Sequence, residues 1–417
     1  MRILLFPMGS HGDVHPFLGL GRALQARNHE VFIITSAYFE TAVRAAGLEF
    51  RPVGTADDYV RVTKDPNLWH PTRAFETLVE KAVNHSYEPV MQHAADLNKP
   101  GETVMAAGSL AWATRNARDK LGIPLATIHL APSLFISSYH MPLFHGAPVP
   151  QWAPRWLKEL QWKIATRVSD KAVLPGLNRF RRELGLAPAK RIIRQWWHSP
   201  DRVLGLFPDW FGPPQPDWPP QTQLTGFPMF DEREARRMPD ELSEWLGQGE
   251  PPVVFTPGSA MAHGHRFFAQ AAEAMKLLGR RGLLMTQYPE TVPRQLPQGV
   301  RHFEWAPFSE LLPRAAALVY HGGVGTCAQA LRAGTPHLVM HMAHDQLDNL
   351  SRVRDLGVGA GVPPKRFKAR WIADRLQALT GDPSVKQGCT EVAARFDVQG
   401  WMRKTCELVE TTSLSEK

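Results

Sequence analysis

Residues 1–36 read MRILLFPMGSHGDVHPFLGLGRALQARNHEVFIITS, and their pattern decides the fold class. An apolar run, Ile3–Phe6, is followed by a loop containing glycine at Gly9–Val14 and by a helical segment at Pro16–Asn28. A second apolar run, Glu30–Thr35, comes directly afterwards. The order strand, loop, helix, strand predicts a βαβ unit whose parallel strands are buried on both faces.

The same alternation continues along the chain and then starts again. Further strands of the first half are predicted at Thr103–Ala107, Leu125–His129 and Val203–Leu206. Residues 207–228 are rich in proline, which excludes a helix interior or a central strand and indicates a stiff linker. Beyond it, a helix is predicted over about 266–280, and strands are predicted at Pro252–Thr256, Leu283–Thr286, Val300–Phe303, Ala317–Tyr320 and His337–Val339. The chain therefore predicts two doubly wound α/β domains, with ligands bound at the carboxyl ends of their strands.

Composition fits this organisation. The 417 residues are 43% hydrophobic and 21% charged, which suits two or three globular domains and excludes a disordered tail or a disulfide-stapled peptide. Three cysteines, Cys327, Cys389 and Cys406, stand far apart without a CxxC motif, which indicates a reducing compartment. The N-terminal apolar run is too short for a signal peptide, and no charge-free stretch is long enough to cross a bilayer. We expect a cytoplasmic protein.

The net charge of +8 is compatible with an anionic ligand, a nucleic acid or an anionic membrane. Nucleic acid is not expected, because no basic stripe with interleaved aromatic residues is present. The helix predicted over Trp152–Lys171 is amphipathic: Trp156, Leu157, Leu160, Ile164 and Val168 lie on one side, and Lys158, Lys163, Arg167 and Lys171 lie on the other. Such a helix can rest on the inner face of a membrane as a peripheral contact, or it can simply pack on its own domain.

The strongest chemical motif follows the predicted strand Ala317–Tyr320. It reads His321-Gly322-Gly323-Val324-Gly325-Thr326 and opens a helix. Glycines at such a turn let backbone N–H groups approach a phosphate, and the helix N-terminus adds partial positive charge. Gly323, Gly325 and Ala328 also fit GxGxxA, with Asp345 about twenty residues further on, so an oxidoreductase that binds a dinucleotide is an alternative. A tight turn that binds no ligand is a second alternative.

Several segments together resemble a known family. One set of segments is similar to the donor-binding signature of family 1 glycosyltransferases of the GT-B fold. These segments are Trp305-Ala306-Pro307, the His321–Thr326 turn, Pro336, and Asp345-Gln346 with Asn349. The loop Gly9–Pro16 resembles the acceptor-side loop of bacterial and sterol-type members. More narrowly, Asp65–Trp69, the proline-rich segment and Thr225–Asp231 resemble the rhamnolipid-type rhamnosyltransferases.

The resemblance implies an α/β fold of the GT-B type, in which two Rossmann-like, doubly wound parallel-sheet domains face an interdomain cleft. We expect an N-terminal acceptor-binding domain over residues 1–207 and a linker over 208–228. The nucleotide-sugar-binding domain is expected over 229–395, and a C-terminal helix in 396–417 is expected to pack back on the N-terminal domain.

The resemblance also implies roles for donor-binding residues. Trp305 would stack on the donor base, and the backbone of Ala306 would pair with the base edge. The diphosphate would be held by Ser259, His321, Gly323, Gly325 and Thr326, and the sugar hydroxyls by Asp345 and Gln346. Gln329 stands where many members have a glutamate on the ribose diol, which favours a thymidine donor. The expected donor is dTDP-rhamnose, or next UDP-glucose, with no metal and no other cofactor.

Asp13 is the predicted general base of an inverting transfer, with His11 and His15 as alternative bases. In a competing interpretation Asp13 only caps the following helix. An aromatic and methionine-rich wall indicates an apolar hydroxyl acceptor, either a lipid or a polyphenol. Its expected residues are His11, Trp69, Phe75, Phe135, Met141 and Phe144. A non-catalytic accessory protein of the same fold is a further alternative, and the oligomeric state stays open.

Overall fold

The computed structural model describes the chain except residues 71–72, 145, 147–148, 232, 234–235, 260, 262 and 416–417, together with the side chain of Trp69. The strands are β1 (Arg2–Phe6), β2 (Glu30–Ser36), β3 (Glu49–Val53), β4 (Thr103–Gly108), β5 (Leu125–His129), β6 (Arg202–Gly205), β7 (Thr222–Leu224), β8 (Val253–Thr256), β9 (Gly282–Met285), β10 (Val300–Phe303), β11 (Ala317–Tyr320), β12 (His337–Val339) and β13 (Gly359–Gly361).

The helices alternate with these strands. They are α1 (His11–Gln25), α2 (Glu40–Ala45), α3 (Ala56–Thr63), α4 (Ala74–Leu78), α5 (Asn84–Leu97), α6 (Ala113–Leu121), α7 (Arg155–Glu183), α8 (Asp240–Gly247), α9 (His265–Leu278), α10 (Phe308–Leu311), α11 (Val324–Ala333), α12 (Gln346–Asp355), α13 (Ala369–Gly381), α14 (Pro383–Ala393) and α15 (Val398–Glu410). Within the described part of the chain, no helix is long and apolar enough to cross a membrane.

The chain divides into two compact units. The first comprises Met1–Phe230 and Asp397–Lys417, and the second comprises Asp231–Phe396. The first unit contains a seven-stranded sheet in the order β3-β2-β1-β4-β5-β6-β7, and the second contains a six-stranded sheet in the order β10-β9-β8-β11-β12-β13. Their strands pair in parallel. The strand order reverses between β1 and β4 in the first unit and between β8 and β11 in the second, which confirms two doubly wound sheets.

Side-chain alternation along β1 explains why the first sheet is covered on both faces. Ile3 and Leu5 pack in one hydrophobic cluster, whereas Leu4 and Phe6 pack in another, and all four are fully buried. Because successive strand residues point to opposite faces, a continuous apolar run fits a strand between two layers of helices.

The proline-rich segment belongs to the first unit in the structure. Its residues Thr222–Leu224 form β7, an edge strand that pairs with β6. Gly226 has a φ of +122°, and a Cβ there would overlap the ring of Trp401 on α15. The far end of α15 is held by Glu410, whose carboxylate lies 2.7 Å from His29 Nε2. Residues from both ends of the chain therefore build the first unit.

Candidate functional site

The carboxyl-end loops of the second sheet gather most of the predicted donor-binding residues. Ser259 lies in the loop after β8, Trp305 after β10, His321 directly after β11, and Asp345 between β12 and α12. Because these strands are parallel, their carboxyl ends lie along one edge of the sheet, where ligands of doubly wound folds bind.

The turn from β11 into α11 depends on glycine. Gly322 has a φ of +97°, and a Cβ there would lie 2.7 Å from Val339 Cγ1. Gly258, at the end of the neighbouring strand β8, has a φ of +100°, and its Cβ would lie 2.8 Å from Cε1 of His321. Only residues without a side chain let the two loops approach so closely. The His321 imidazole is therefore seated at the point where the strand order reverses.

Burial sets the charge of the imidazole. It lowers the pKa of His321 to about 4, and nearby His344 adds to the effect, so the ring is neutral at pH 7. Within the part of the chain that the structure describes, Nδ1 of His321 and Oε1 of Gln329 are buried without a hydrogen-bond partner. Buried polar atoms are nearly always satisfied in folded proteins, so this pair indicates a ligand or an ordered water.

Asp345 and Asn349 connect α12 to the same turn. Asn349 Nδ2 donates to the carbonyl of Gly322 at 2.9 Å and to Oδ2 of Asp345 at 2.7 Å. The backbone N–H of Val324, at the start of α11, also donates to the Asp345 carboxylate, but burial outweighs these contacts and raises the pKa of Asp345 to about 6. The carboxylate thus lies directly beside the N-terminus of α11.

Gln346 is almost fully buried, at 2% exposure. Its Oε1 accepts hydrogen bonds from the amides of Met342 and Ala343, at 2.6 and 3.0 Å. In this structure the side-chain oxygen of Gln346 therefore holds its own loop. A direct contact between Gln346 and a sugar hydroxyl stays a prediction.

Trp305 has a neighbour that sequence reasoning missed. The guanidinium carbon of Arg236 lies 4.7 Å from the centre of its ring, a cation–π contact. A base that stacks on this face must displace Arg236, whereas the opposite face of the indole requires no such change. Arg236 lies far from Trp305 in sequence and in no motif, so the sequence contains no signal for the contact. The adjacent Ala306 is 6% exposed.

The remaining residues of the predicted phosphate site are more accessible. Ser259 and Gly325 are exposed, and Thr326 is half-buried. The carbonyl of Ser259 accepts a hydrogen bond from Nε2 of Gln287 at 3.1 Å. Gln287 follows β9, and it is a second residue of this edge that sequence reasoning missed. The sequence signal that could have identified Gln287 is its position as a polar residue directly after the predicted strand Leu283–Thr286.

In the first unit, Asp13 lies in the first turn of α1, at the reversal between β1 and β4. Its Oδ2 accepts hydrogen bonds from the backbone N–H of Ser10 at 2.7 Å and from the Ser10 hydroxyl at 3.0 Å. Gly9 has a φ of +136°, and a Cβ there would lie 2.6 Å from Cγ of Asp13. The capping contact expected in the competing interpretation therefore exists, and it fixes the position of the carboxylate.

The two nearby histidines lie among aromatic rings. The ring of His11 lies 5.0 Å from that of Phe39, 5.6 Å from that of Tyr38 and 5.4 Å from that of His15. The ring of His15 lies 6.0 Å from Phe230. These edge-to-face contacts position both imidazoles in a partly apolar environment next to the Asp13 loop.

Two of the predicted acceptor residues, Phe135 and Met141, are buried in the structure. Phe135 is 1% exposed and stacks on Trp218 at 4.4 Å, and Met141 is fully buried, so neither offers surface to a ligand in this structure. Phe75 and Phe144 keep part of their surface exposed. The side chain of Trp69 lies outside the described residues. An apolar side chain in a loop does not reveal from sequence alone whether it faces a pocket or the core.

A buried hydrogen-bonded chain ends at the carboxyl edge of the first sheet. The indole N–H of Trp197 donates to Nε2 of His198 at 2.9 Å, so His198 carries its proton on Nδ1 and donates to Nε2 of His129 at 3.0 Å. His129 therefore donates from Nδ1 to the hydroxyl of Ser109, at 2.8 Å, just after β4. Burial lowers the pKa of both histidines, that of His198 to about 3, and keeps them neutral.

Comparison with known proteins agrees with this geometry. Residues 3–95 match the family model "Glycosyltransferase family 28 N-terminal domain", and residues 284–399 match "Erythromycin biosynthesis protein CIII-like, C-terminal domain". The chain is 30% identical to O-mycaminosyltylonolide 6-deoxyallosyltransferase of Streptomyces fradiae, over 98% of this chain and 97% of the relative. It is 25% identical to a sterol 3-beta-glucosyltransferase of Arabidopsis thaliana, over 94% of this chain and 65% of that protein.

Solved structures share the fold. The glycosyltransferase of kitacinnamycin superposes with a TM-score of 0.75 at 20% identity, over 99% of both chains. A spinosyn rhamnosyltransferase in complex with thymidine diphosphate superposes with a TM-score of 0.68 at 16% identity, also over 99% of both chains.

The fold and the two carboxyl-edge sites define a two-domain α/β enzyme of the GT-B class. The relative at 30% identity and the two family models show that this chain belongs to the family 1 glycosyltransferases. The alternative of an oxidoreductase that binds a dinucleotide is therefore wrong. Its GxGxxA match lies after β11, a late strand of its sheet, whereas such a fingerprint opens the first βα unit of a domain.

Proposed function

We propose that the enzyme transfers a sugar from a nucleoside diphosphate to a hydroxyl group of an apolar acceptor, with inversion and without a metal. The second unit holds the donor and the first unit holds the acceptor. The observation that carries this proposal is the environment of the His321 side chain. The half-buried imidazole lies between two glycine turns, beside the N-terminus of α11, and its Nδ1 is buried without a hydrogen-bond partner among the described residues.

The preferred donor is dTDP-rhamnose, and UDP-glucose is the next candidate. Gln329 supports thymidine, since an amide holds a ribose diol less firmly than a carboxylate does. The relative from Streptomyces fradiae is named for transfer of a 6-deoxyhexose, the chemical class to which rhamnose belongs. The spinosyn rhamnosyltransferase was solved with thymidine diphosphate.

The proposed acceptor is an apolar alcohol, either a lipid or a polyphenol. A sterol glucosyltransferase and a transferase named for a tylonolide acceptor among the relatives support an apolar substrate. The relay from Trp197 ends at Ser109, whose hydroxyl oxygen accepts from His129 at 2.8 Å and whose hydroxyl proton is donated to the carbonyl of Ile128 at 3.5 Å.

In the proposed mechanism the Asp13 carboxylate accepts the acceptor's hydroxyl proton as that oxygen attacks the anomeric carbon. The bond from this carbon to the diphosphate oxygen breaks, and the nucleoside diphosphate leaves. The N–H of neutral His321 and the backbone N–H groups of Gly325 and Thr326, in the first turn of α11, stabilise the charge that develops on the diphosphate. Ser10 holds the Asp13 carboxylate in place through two hydrogen bonds.

Asp13→Asn tests the proposal, with Ser10→Ala as the matched control. We expect Asp13→Asn to lower the transfer rate about 100-fold or more, because the amide cannot accept the proton, while dTDP affinity stays unchanged. Ser10→Ala should cost about 1 kcal/mol of stability through the lost cap and lower the rate far less. Transfer of rhamnose or glucose to a panel of apolar alcohols, followed by mass spectrometry, measures the rates.

Full activity in Asp13→Asn would show that Asp13 is a helix cap and not the base. Nucleotide binding without turnover for any donor and acceptor pair would instead favour the non-catalytic accessory protein.

A further inference from the structure

In the first half of helix α7, up to about Ser169, polar side chains face inward and apolar side chains face outward, whereas further along Val173 and Leu177 are buried as usual. The inward positions of this first half include Lys158, Trp162 and Thr166, which are 5%, 4% and 8% exposed. Trp162 Nε1 donates to the carbonyl of Ser137 at 2.9 Å, and Lys158 Nζ donates to that of Tyr139 at 3.3 Å. A cation, an indole and a hydroxyl thus occupy the buried side. The sequence placed Lys158 on the solvent side with the other cations, and the structure corrects this position.

The apolar residues lie on the outer side. Exposure is 68% for Trp156, 46% for Leu160, 54% for Ile164 and 66% for Val168, and Trp152, just before the helix, is 85% exposed. The spacing of four residues places them in one row, which we call the α7 strip. From Trp156 to Val168 the row runs about 18 Å along the helix axis. Solvent-facing helix positions are normally polar, so packing within the unit does not explain the strip.

The charges around the strip have one sign. Along the part of α7 that carries the strip, from Arg155 to Lys171, the exposed charged residues are all basic: Arg155, Lys163, Arg167 and Lys171. The acidic residues of this stretch are engaged elsewhere: Glu159 pairs with Arg194 at 2.9 Å, and Asp170 accepts from the backbone of Ile192 at 2.9 Å. Two copies of such a face repel each other, whereas an anionic surface attracts it.

We propose that the α7 strip docks on a membrane surface that contains anionic lipids. Leu160, Ile164 and Val168 enter the boundary between headgroups and acyl chains, and Trp152 and Trp156 take the interfacial position that indoles favour. The surrounding lysines and arginines contact lipid phosphates. The proposal does not depend on the glycosyl transfer, because docking requires neither donor nor acceptor.

Co-sedimentation of the full chain with vesicles tests the proposal. We expect binding to vesicles that contain phosphatidylglycerol, weak binding to pure phosphatidylcholine, and loss of affinity as salt rises. Leu160→Gln with Ile164→Gln should weaken binding at least tenfold, because it removes apolar surface and keeps every charge. Leu277→Gln is the matched control: this leucine is 50% exposed on α9 of the other unit, and its substitution should leave binding unchanged.

A variant with fewer positive charges measures the electrostatic contribution to vesicle binding separately from the apolar contribution. Lys163→Gln, Arg167→Gln and Lys171→Gln together should also weaken binding at least tenfold, and circular dichroism should show that each variant is folded. Three results would overturn the proposal: no binding of the wild type to anionic vesicles, equal binding by the Leu160/Ile164 variant, or a dimer in sedimentation velocity that this variant converts to a monomer. The last result would identify the strip as a self-association surface.

Discussion

His321 and the Asp345 carboxylate both lie beside the N-terminus of α11, and burial shifts both pKa values towards the neutral forms. It lowers the pKa of His321 to about 4 and raises that of Asp345 to about 6. At neutral pH the imidazole is uncharged and Asp345 is ionised at a cost in free energy. A buried group that must ionise in the absence of a ligand lowers the stability of the fold. Such groups are typical of functional sites, where residues are arranged for binding more than for stability.

The pH dependence of stability follows from Asp345. Its pKa is about 6 in the folded chain and 3.8 in the reference state, so its favourable contribution is present below pH 3.8 and is lost as pH rises through about 6. We expect Asp345→Asn to match or exceed the wild type in thermal midpoint at pH 7.5 and to lose this advantage near pH 4. Affinity for the donor should fall about tenfold or more, as calorimetric titration can measure.

Asp348→Asn is the control for this comparison. Asp348 is buried on α12 and pairs with Arg352 at 2.8 Å, so its substitution leaves a buried cation uncompensated and should lower the midpoint strongly at pH 7.5. An equal loss of stability in Asp345→Asn would contradict a binding role for Asp345 and would make it a structural residue.

At the level of elements, α15 closes the first unit against the segment that follows β7. Gly226→Ala should cost about 2 kcal/mol or more, because the new Cβ meets the Trp401 ring and the backbone has a φ of +122°. Gly101→Ala is the matched control, since Gly101 has a φ of +79° and nothing within 4 Å, so only the backbone strain remains. Urea unfolding of both variants measures the difference. Equal losses would show that the contact with α15 contributes nothing.

The sequence predicted the central strands and one edge strand, β10, but missed the other three edge strands. The central strands β5, β11 and β12 begin and end where expected, because apolar runs bounded by turn residues are typical of buried parallel strands. The missed strands β3, β7 and β13 all lie at a sheet edge. β3 contains Arg51 and Pro52, and β13 reads Gly-Ala-Gly, so neither has the composition of a strand. Both are strands because they pair with a neighbouring strand that is distant in sequence.

The same limit applies to the candidate site. The positions of His321, Trp305 and Asp13 after predicted strands could be derived, since carboxyl ends of parallel strands share an edge. The contact of Arg236 with Trp305 and the burial of Phe135 could not, because each depends on packing between segments far apart in the chain.

At the scale of the whole molecule, both units repeat one design, a parallel sheet whose strand order reverses beside its first strand. In each unit that reversal carries the residue to which we assign chemistry, Asp13 in the first and His321 in the second. The net charge of +8 also has two proposed uses, an anionic diphosphate and the basic face around the α7 strip.

The central claim is that the second unit binds a nucleoside diphosphate through the His321 turn. Thermal stabilisation by dTDP, UDP, GDP and NADH, measured side by side, tests it most directly, because a ligand of the native state at 100 times its Kd adds about 2.7 kcal/mol. We predict that dTDP stabilises the wild type most, UDP less and NADH not at all, and that His321→Gln reduces the dTDP effect. Stabilisation by NADH alone, or an undiminished dTDP effect in His321→Gln, would contradict the account.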